Sequence, residues 1–306
     1  MSALQFGVVL ITGETKSAGV ARWPLLRAMA TRAEVIGFDT VWVVDELLWR
    51  NDDRPPQGFW DGVAMAGAVA ATTERIQVGT WILSALHHNA GMTAKIAETL
   101  DEISDGRFIF GIGAGHAWPG QARAFGLPED RLIGRFEEAL QIIVPLLRDG
   151  RADLDGTFHV ARDLEHRPLG PRPGKIPLMI GGHGPRMMRL AATHADVWSA
   201  YSEQRDDVED FIPKLAALEA ACAEVGRDPA TIGKSAGISI APMASHGDGR
   251  ADVSDPTGLR GDPRALADTI LAFEAAGFTQ VEFVLEPQTM EALEAMIPVI
   301  ELVRAG

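Results

Sequence analysis

Eight times along this 306-residue chain, a short apolar run gives way to a longer stretch of helical periodicity. The runs that predict strands are Phe6–Ile11, Thr40–Val44, Ile76–Ile82, Arg107–Ile112, Leu178–Ile180, Val197–Ala200, Ile232–Ile240 and Gln280–Leu285. The stretches that predict helices are Arg22–Ile36, Trp60–Ala71, Ala90–Ile103, Arg131–Arg148, Met187–His194, Val208–Val225, Pro263–Ala276 and Thr289–Arg304. Apolar runs of this kind suit strands covered on both faces, as in a parallel sheet wrapped by helices. Eight strand–helix units in order predict an α/β fold of the (β/α)8 TIM-barrel type. A doubly wound sheet is the competing arrangement. Its dinucleotide fingerprint would follow the first strand, but Gly7-Val8-Val9 leads to Thr12-Gly13 and no G-x-G-x-x-G.

Barrels of this length form one domain, so residues 1–306 are expected to be a single barrel with loop insertions near 113–130, 149–175 and 241–262. Long loops in a compact domain tend to carry function. Those after strands four and seven would lie on the C-terminal face, where barrels keep their active sites. The loop at 149–175 starts on the opposite face. Its segment Leu154-Asp155-Gly156-Thr157-Phe158 reads as a hairpin that would have to wrap back to reach the mouth.

A net charge of −14 argues against a general nucleic-acid binder or an anionic-membrane binder, while leaving room for a local basic pocket. Cys222 is the only cysteine, so neither an intrachain disulfide nor a cysteine-based metal site is available. His87-His88 are adjacent and chelate poorly, and no HxxxH or HExxH occurs, so no metal is expected. Without a signal segment or a bilayer-length apolar stretch, the expectation is a cytoplasmic protein acting on a small molecule.

Five places carry candidate chemistry. Gly181-Gly182-His183-Gly184-Pro185-Arg186 joins strand five to its helix, where backbone N–H groups and the helix dipole suit a phosphate. Gly111, Gly113 and Gly115 end strand four, either admitting a flat ring or packing closely around the barrel mouth. His116 follows them and suits proton transfer or anion binding. Asp45-Glu46 ends strand two, where alternation lets at most one carboxylate point cleanly inward. His87-His88-Asn89 follows strand three and could hydrogen-bond a bound ring.

Several stretches together resemble the luciferase-like monooxygenase superfamily, particularly its coenzyme F420- and flavin-dependent oxidoreductases. They are Gly37–Asp45, Arg75–Thr80, Leu100–Phe108 with Gly111–Gly115, Ala124–Gly126 with Arg135–Glu138, and Ile176–Trp198. The resemblance implies a barrel, usually a homodimer, with a flavin or deazaflavin at the C-terminal mouth. It implies that Gly181, Gly182, His183 and Gly184 hold the cofactor phosphate and that Asp45 lies near the ring. Thr80 would sit beside a non-prolyl cis peptide at Trp81-Ile82 that buttresses the ring, and Gly113, Gly115 and His116 would follow the ribityl chain. F420-linked members often carry His directly after the strand-two Asp; here Glu46 stands there and becomes the proton-handling candidate, with Asp45 and His116 as further catalytic candidates. The expected activity is F420-dependent hydride transfer to or from a small organic substrate. The alternatives are an FMNH2-dependent monooxygenase and a non-catalytic barrel that binds a phosphorylated ligand.

Overall fold

The computed structural model describes residues 3–15, 19–50, 55–116, 119–202, 205–242 and 258–305. Its eight barrel strands are β1 (Gln5–Leu10), β2 (Thr40–Val43), β3 (Gln77–Thr80), β4 (Phe108–Gly113), β5 (Leu178–Gly181), β6 (Val197–Tyr201), β7 (Gly233–Ile240) and β8 (Gln280–Leu285). Neighbours pair in parallel throughout, and β5 also pairs with β4, so the sheet closes on itself. The outer ring is α1 (Trp23–Ile36), α2 (Gly62–Thr72), α3 (Ala90–Ile103), α4 (Leu132–Asp149), α5 (Pro185–His194), α6 (Ile212–Val225), α7 (Pro263–Ala275) and α8 (Ile297–Ala305).

The two-residue period of each strand sorts side chains between two cores. Phe6, Val8, Val41 and Phe108 face outward into the large core shared with the helices. Val9, Trp42, Val44, Ile109, Met179 and Val284 face inward and form a second, smaller core. Two tryptophans fit inside because glycines stand opposite them. A Cβ at Gly79 would lie 2.2 Å from the Trp42 ring, and one at Gly237 would lie 2.2 Å from the Trp81 ring.

Two expected helices are interrupted, both at proline. The chain from 289 to 304 forms a short helix Met290–Glu294 and then α8, with Pro298 in the first turn of α8, where its missing N–H costs no ladder bond. Val208–Val225 likewise divides into a 3-10 turn Val208–Asp210 and α6, with Pro213 in the first turn. Strand three stops at Thr80 rather than running to Ile82, and the Trp81–Ile82 peptide is cis. The chain then re-enters the sheet at Leu83–Ser84 beside β4.

The hairpin in the loop at 149–175 does wrap back. Its strands, Arg151–Asp155 and Val160–Glu165, run along α4. The Glu138 carboxylate accepts the N–H groups of Thr157, Phe158 and His159 at 3.0, 2.7 and 3.2 Å. Phe158 lies between the guanidinium groups of Arg131 and Arg135, each 4.6 Å from its centroid. The turn thus reaches the start of α4, on the same side as the C-terminal ends of the strands. Most of the expected insertion near 241–262 lies outside the described residues.

Candidate functional site

The C-terminal mouth gathers most of the residues singled out from the sequence. At the end of β2, the two carboxylates separate as strand alternation requires. Asp45 is buried and Glu46 is half-buried. Asp45 Oδ2 accepts the Ser84 N–H at 2.8 Å and meets His87 Nδ1 at 2.9 Å. Its Oδ1 is buried without a hydrogen bond, next to Gly62 at the start of α2, whose dipole favours a negative charge there.

His87 is held from both ends. A short helix, Pro119–Phe125, brings Gln121 in from the loop after β4. Gln121 Oε1 accepts the N–H groups of Leu47 and Leu48 at 3.0 and 2.9 Å. That fixes which end of the amide is oxygen, so Nε2 donates to His87 Nε2 at 3.4 Å. His87 therefore carries its proton on Nδ1 and gives it to Asp45. His87 links the ends of β2 and β3 to the loop after β4.

Glu46 heads this arrangement. Burial raises its pKa from 4.5 to about 6. A hydrogen bond from the Trp49 indole and the nearby His87 oppose that rise, and the Asp45 charge adds to it. Trp49 in turn packs on Phe59, ring centroids 4.7 Å apart. Glu46 is thus an acid–base group poised near neutrality beside the Trp49 indole.

The glycines at the strand ends make room mainly for this chain's own side chains. A Cβ at Gly113 or Gly181 would lie 2.5 or 2.4 Å from Ile82 Cδ1. One at Gly115 would lie 2.4 Å from Ser84 Oγ. These glycines let Ile82 sit across the barrel mouth. Thr80, expected beside the cofactor, is fully buried and spends its hydroxyl on β4, donating to Gly111 O at 2.7 Å and accepting from Gly111 N at 3.2 Å. Its hydroxyl is committed to the sheet. Trp81 stands beside Ile82, edge-on to Tyr201 with centroids 5.7 Å apart. Tyr201 hydrogen-bonds Ser239 at 2.6 Å.

Across the mouth, Gly182 has φ +130°, a backbone region open to glycine, and its carbonyl accepts the Trp198 indole N–H at 2.8 Å. Gly184 is the N-cap of α5, which has no side-chain cap, and a Cβ there would meet nothing within 4 Å. The loop therefore presents a helix N-terminus with open space before it. His183 and His116 are both exposed at this face. Among the described residues, no three His, Cys, Asp or Glu side chains cluster as a metal site would require. No helix among them is long and apolar enough to cross a membrane.

Residues 4–255 match the luciferase-like monooxygenase profile. The chain belongs to the luciferase-like monooxygenase family. Within this family's range it is 32% identical over 200 residues to an F420-dependent glucose-6-phosphate dehydrogenase from Beutenbergia cavernae, covering 62% of this chain and 57% of that one. It is 32% identical over 164 residues to a 5,10-methylenetetrahydromethanopterin reductase from Archaeoglobus fulgidus, covering 54% and 45%. The match thus spans about half the length of these curated relatives. The luciferase-like barrel also superposes on an F420-dependent secondary alcohol dehydrogenase with a TM-score of 0.81 at 19% identity, covering 98% of this chain and 99% of that one.

Proposed function

We propose that this chain is an F420-dependent oxidoreductase that moves hydride to or from a small organic substrate. The observation that carries the reading is the meeting, at one barrel mouth, of an uncapped helix N-terminus and an acid tuned near neutrality. These are Gly184 at the start of α5 and Glu46 at the end of β2. The name of the Beutenbergia cavernae relative, an F420-dependent dehydrogenase, favours F420 chemistry over FMN chemistry.

The residues fit such a cofactor. The open space at Gly184 and the left-handed turn at Gly182 make a cradle that added side chains would restrict. Gly181, Gly182, His183 and Gly184 would form the loop that holds the phosphate at the N-terminus of α5, with Gly181 and Gly182 shaping the turn, since the Gly182 N–H is given to the Ser199 carbonyl at 3.1 Å. Trp81, Ile82 and Tyr201 would form the apolar wall that excludes water. Bound there, F420 would supply the carbon that gives or takes hydride. Glu46 would take the hydroxyl proton of an alcohol, or return one to a carbonyl. Asp45, His87 and Gln121 would hold the Glu46 segment in place without touching substrate. Gly113, Gly115 and His116 would border the chain between ring and phosphate.

The reading extends to one barrel domain over residues 1–306, working as a homodimer in the cytoplasm. The outward side of α2 supports association: Ala64, Ala68 and Ala71 leave it apolar where a lone helix would be polar.

Fluorescence titration of the purified chain with F420 and, separately, with FMN tests the assignment. Tight binding of F420 alone is expected, followed by reduction of F420 when a secondary alcohol is added. Tight binding of FMN alone would favour a monooxygenase, and binding of neither would overturn the cofactor reading.

A further inference from the structure

The barrel interior holds a buried acid that the proposed reaction does not use. Glu282 on β8 is 1% exposed. Its register neighbours on both sides are glycines, Gly7 on β1 and Gly237 on β7. A Cβ at Gly7 would lie 1.6 Å from Glu282 Oε2. One at Gly237 would lie 2.2 Å from Trp81 Cζ2. The two glycines clear space for a carboxyl on one side and for the indole of the barrel mouth on the other.

A column of hydrogen bonds joins those two groups. Trp81 Nε1 donates to Ser199 Oγ at 3.0 Å. Ser199 Oγ donates to Ser235 Oγ at 3.5 Å, and Ser235 Oγ donates to Glu282 Oε1 at 3.0 Å. An indole N–H can only donate, so each hydroxyl accepts from above and passes its own hydrogen downward. The column is therefore polarised in one direction and ends on Glu282. The Trp42 indole N–H is turned toward the same carboxyl, but it and Oε2 close no hydrogen bond. A buried carboxylate with one bare oxygen is far less favourable than the neutral acid. Burial accordingly raises the Glu282 pKa to about 8, while Ser235 and Trp42 oppose the rise and Asp39 adds to it.

We propose that Glu282 is a positioning residue for the barrel mouth, fixing the Trp81 indole through Ser235 and Ser199. The groups facing it from β1, β2, β6 and β7 are Gly7, Trp42, Ser199 and Ser235, none of which titrates in this range. The charge acting on it is Asp39, which Arg304 contacts at 3.3 Å. Ionisation of Glu282 strengthens the pull on the Ser235 hydroxyl and reorganises the column up to Trp81. What stands above Trp81 rests on the F420 reading; the column does not.

The test uses the full chain without cofactor. Tryptophan emission is followed from about pH 6 to about pH 10, a window that brackets the ionisation, in the parent and in Glu282→Gln, Ser235→Ala and Trp81→Phe. The parent should show a step centred near pH 8. Glu282→Gln should abolish it. Ser235→Ala and Trp81→Phe should each remove the same part and leave the part due to Trp42. A full step in Ser235→Ala or Trp81→Phe overturns the relay, and so does a step that survives in Glu282→Gln. If Glu282→Gln does not fold by circular dichroism, the other two variants decide. In a second arm, F420 affinity should change about fivefold across the step in the parent, a modest coupling, and stay level in Ser235→Ala. An equal pH response in Ser235→Ala overturns the coupling. A chain that binds no F420 at any pH overturns the functional reading, while the emission arm still decides the relay.

Discussion

Asp45 and His87 form a nearly sealed pair: Oδ2 and Nδ1 are 2.9 Å apart, with the side chains 1% and 4% exposed. The pair joins β2 to the chain after β3, and Gln121 locks it from the far side while holding the N–H groups of Leu47 and Leu48. Glu46 lies between these two attachments, so its position depends on Gln121, a side chain that is itself buried. Gln121→Leu removes the acceptor for two N–H groups and the donor to His87. It should lower stability by about 2 kcal/mol, within the range for lost hydrogen bonds to partly buried groups. It should also lower kcat more than it raises KM. Urea unfolding beside steady-state kinetics separates the two effects. Lost stability with unchanged kcat would show that the clamp is structural only.

Glu46 sets a pH dependence whose direction follows the direction of reaction. Its pKa of about 6 means the carboxylate predominates above that pH and the acid below it. Alcohol oxidation needs the carboxylate, so kcat/KM should rise as pH increases through about 6. Carbonyl reduction needs the acid, so its rate should fall through the same range. Glu46→Gln should remove both limbs and cut turnover by about 10²–10⁴-fold, the usual worth of a positioned acid or base. F420 affinity should be unchanged. A parent-like pH profile in the variant would take Glu46 out of the proton transfer.

At Gly184, stability and binding should move in opposite directions. The position is an N-cap without a side-chain acceptor, has an extended backbone (φ −70°, ψ 154°), and has room for a Cβ. Gly184→Asp should cap α5 and, since Gly is itself a tolerable cap, stabilise the chain by a few tenths of a kcal/mol. It would also place a negative charge where the cofactor phosphate is proposed to sit. F420 affinity should fall at least about tenfold, or 1.4 kcal/mol. Thermal unfolding and fluorescence titration measure the two terms. A cap that stabilises without weakening F420 would move the phosphate elsewhere.

The barrel was legible in the sequence because two periodicities alternate eight times, and burial on both faces makes the strands continuous apolar runs. Ala90–Ile103 and Gln280–Leu285 appear with the expected bounds. The end of strand three and the break in the last helix were less legible, since apolar residues continue past Thr80 and past Glu294, where the backbone ladders stop. The glycine loop before α5 could be read because its glycines and its helix are contiguous. The Asp45–His87–Gln121 clamp could not, because its members come from three loops that only barrel closure brings together. The glycines of β4 show a different limit. Sequence marks them as places of close approach, but only the fold shows that Ile82 and the Thr80 carbonyl do the approaching. Glu282, Ser235 and Ser199 did leave a trace, as polar residues at inward positions of otherwise apolar strands.

Glu282 should make stability depend on pH in a way that a surface glutamate would not. The native chain keeps the Glu282 proton up to about pH 8, whereas an unfolded chain releases it near 4.5. Below 4.5 both states hold the proton, and above 8 neither does. Between those limits the native state binds more protons than the unfolded one, so stability falls as pH rises. The contribution is fully present below about 4.5 and is lost by about 8, at up to about 1.4 kcal/mol per pH unit. Glutamine keeps the shape and the Oε1 acceptor but cannot ionise. Glu282→Gln should therefore gain on the parent steadily across this window and hold a constant margin above it. Urea unfolding of both proteins at a series of pH values measures that margin. A margin that does not change with pH would mean that the native carboxyl ionises as it does in the unfolded chain, and burial at the centre of the barrel would then have failed to hold its proton.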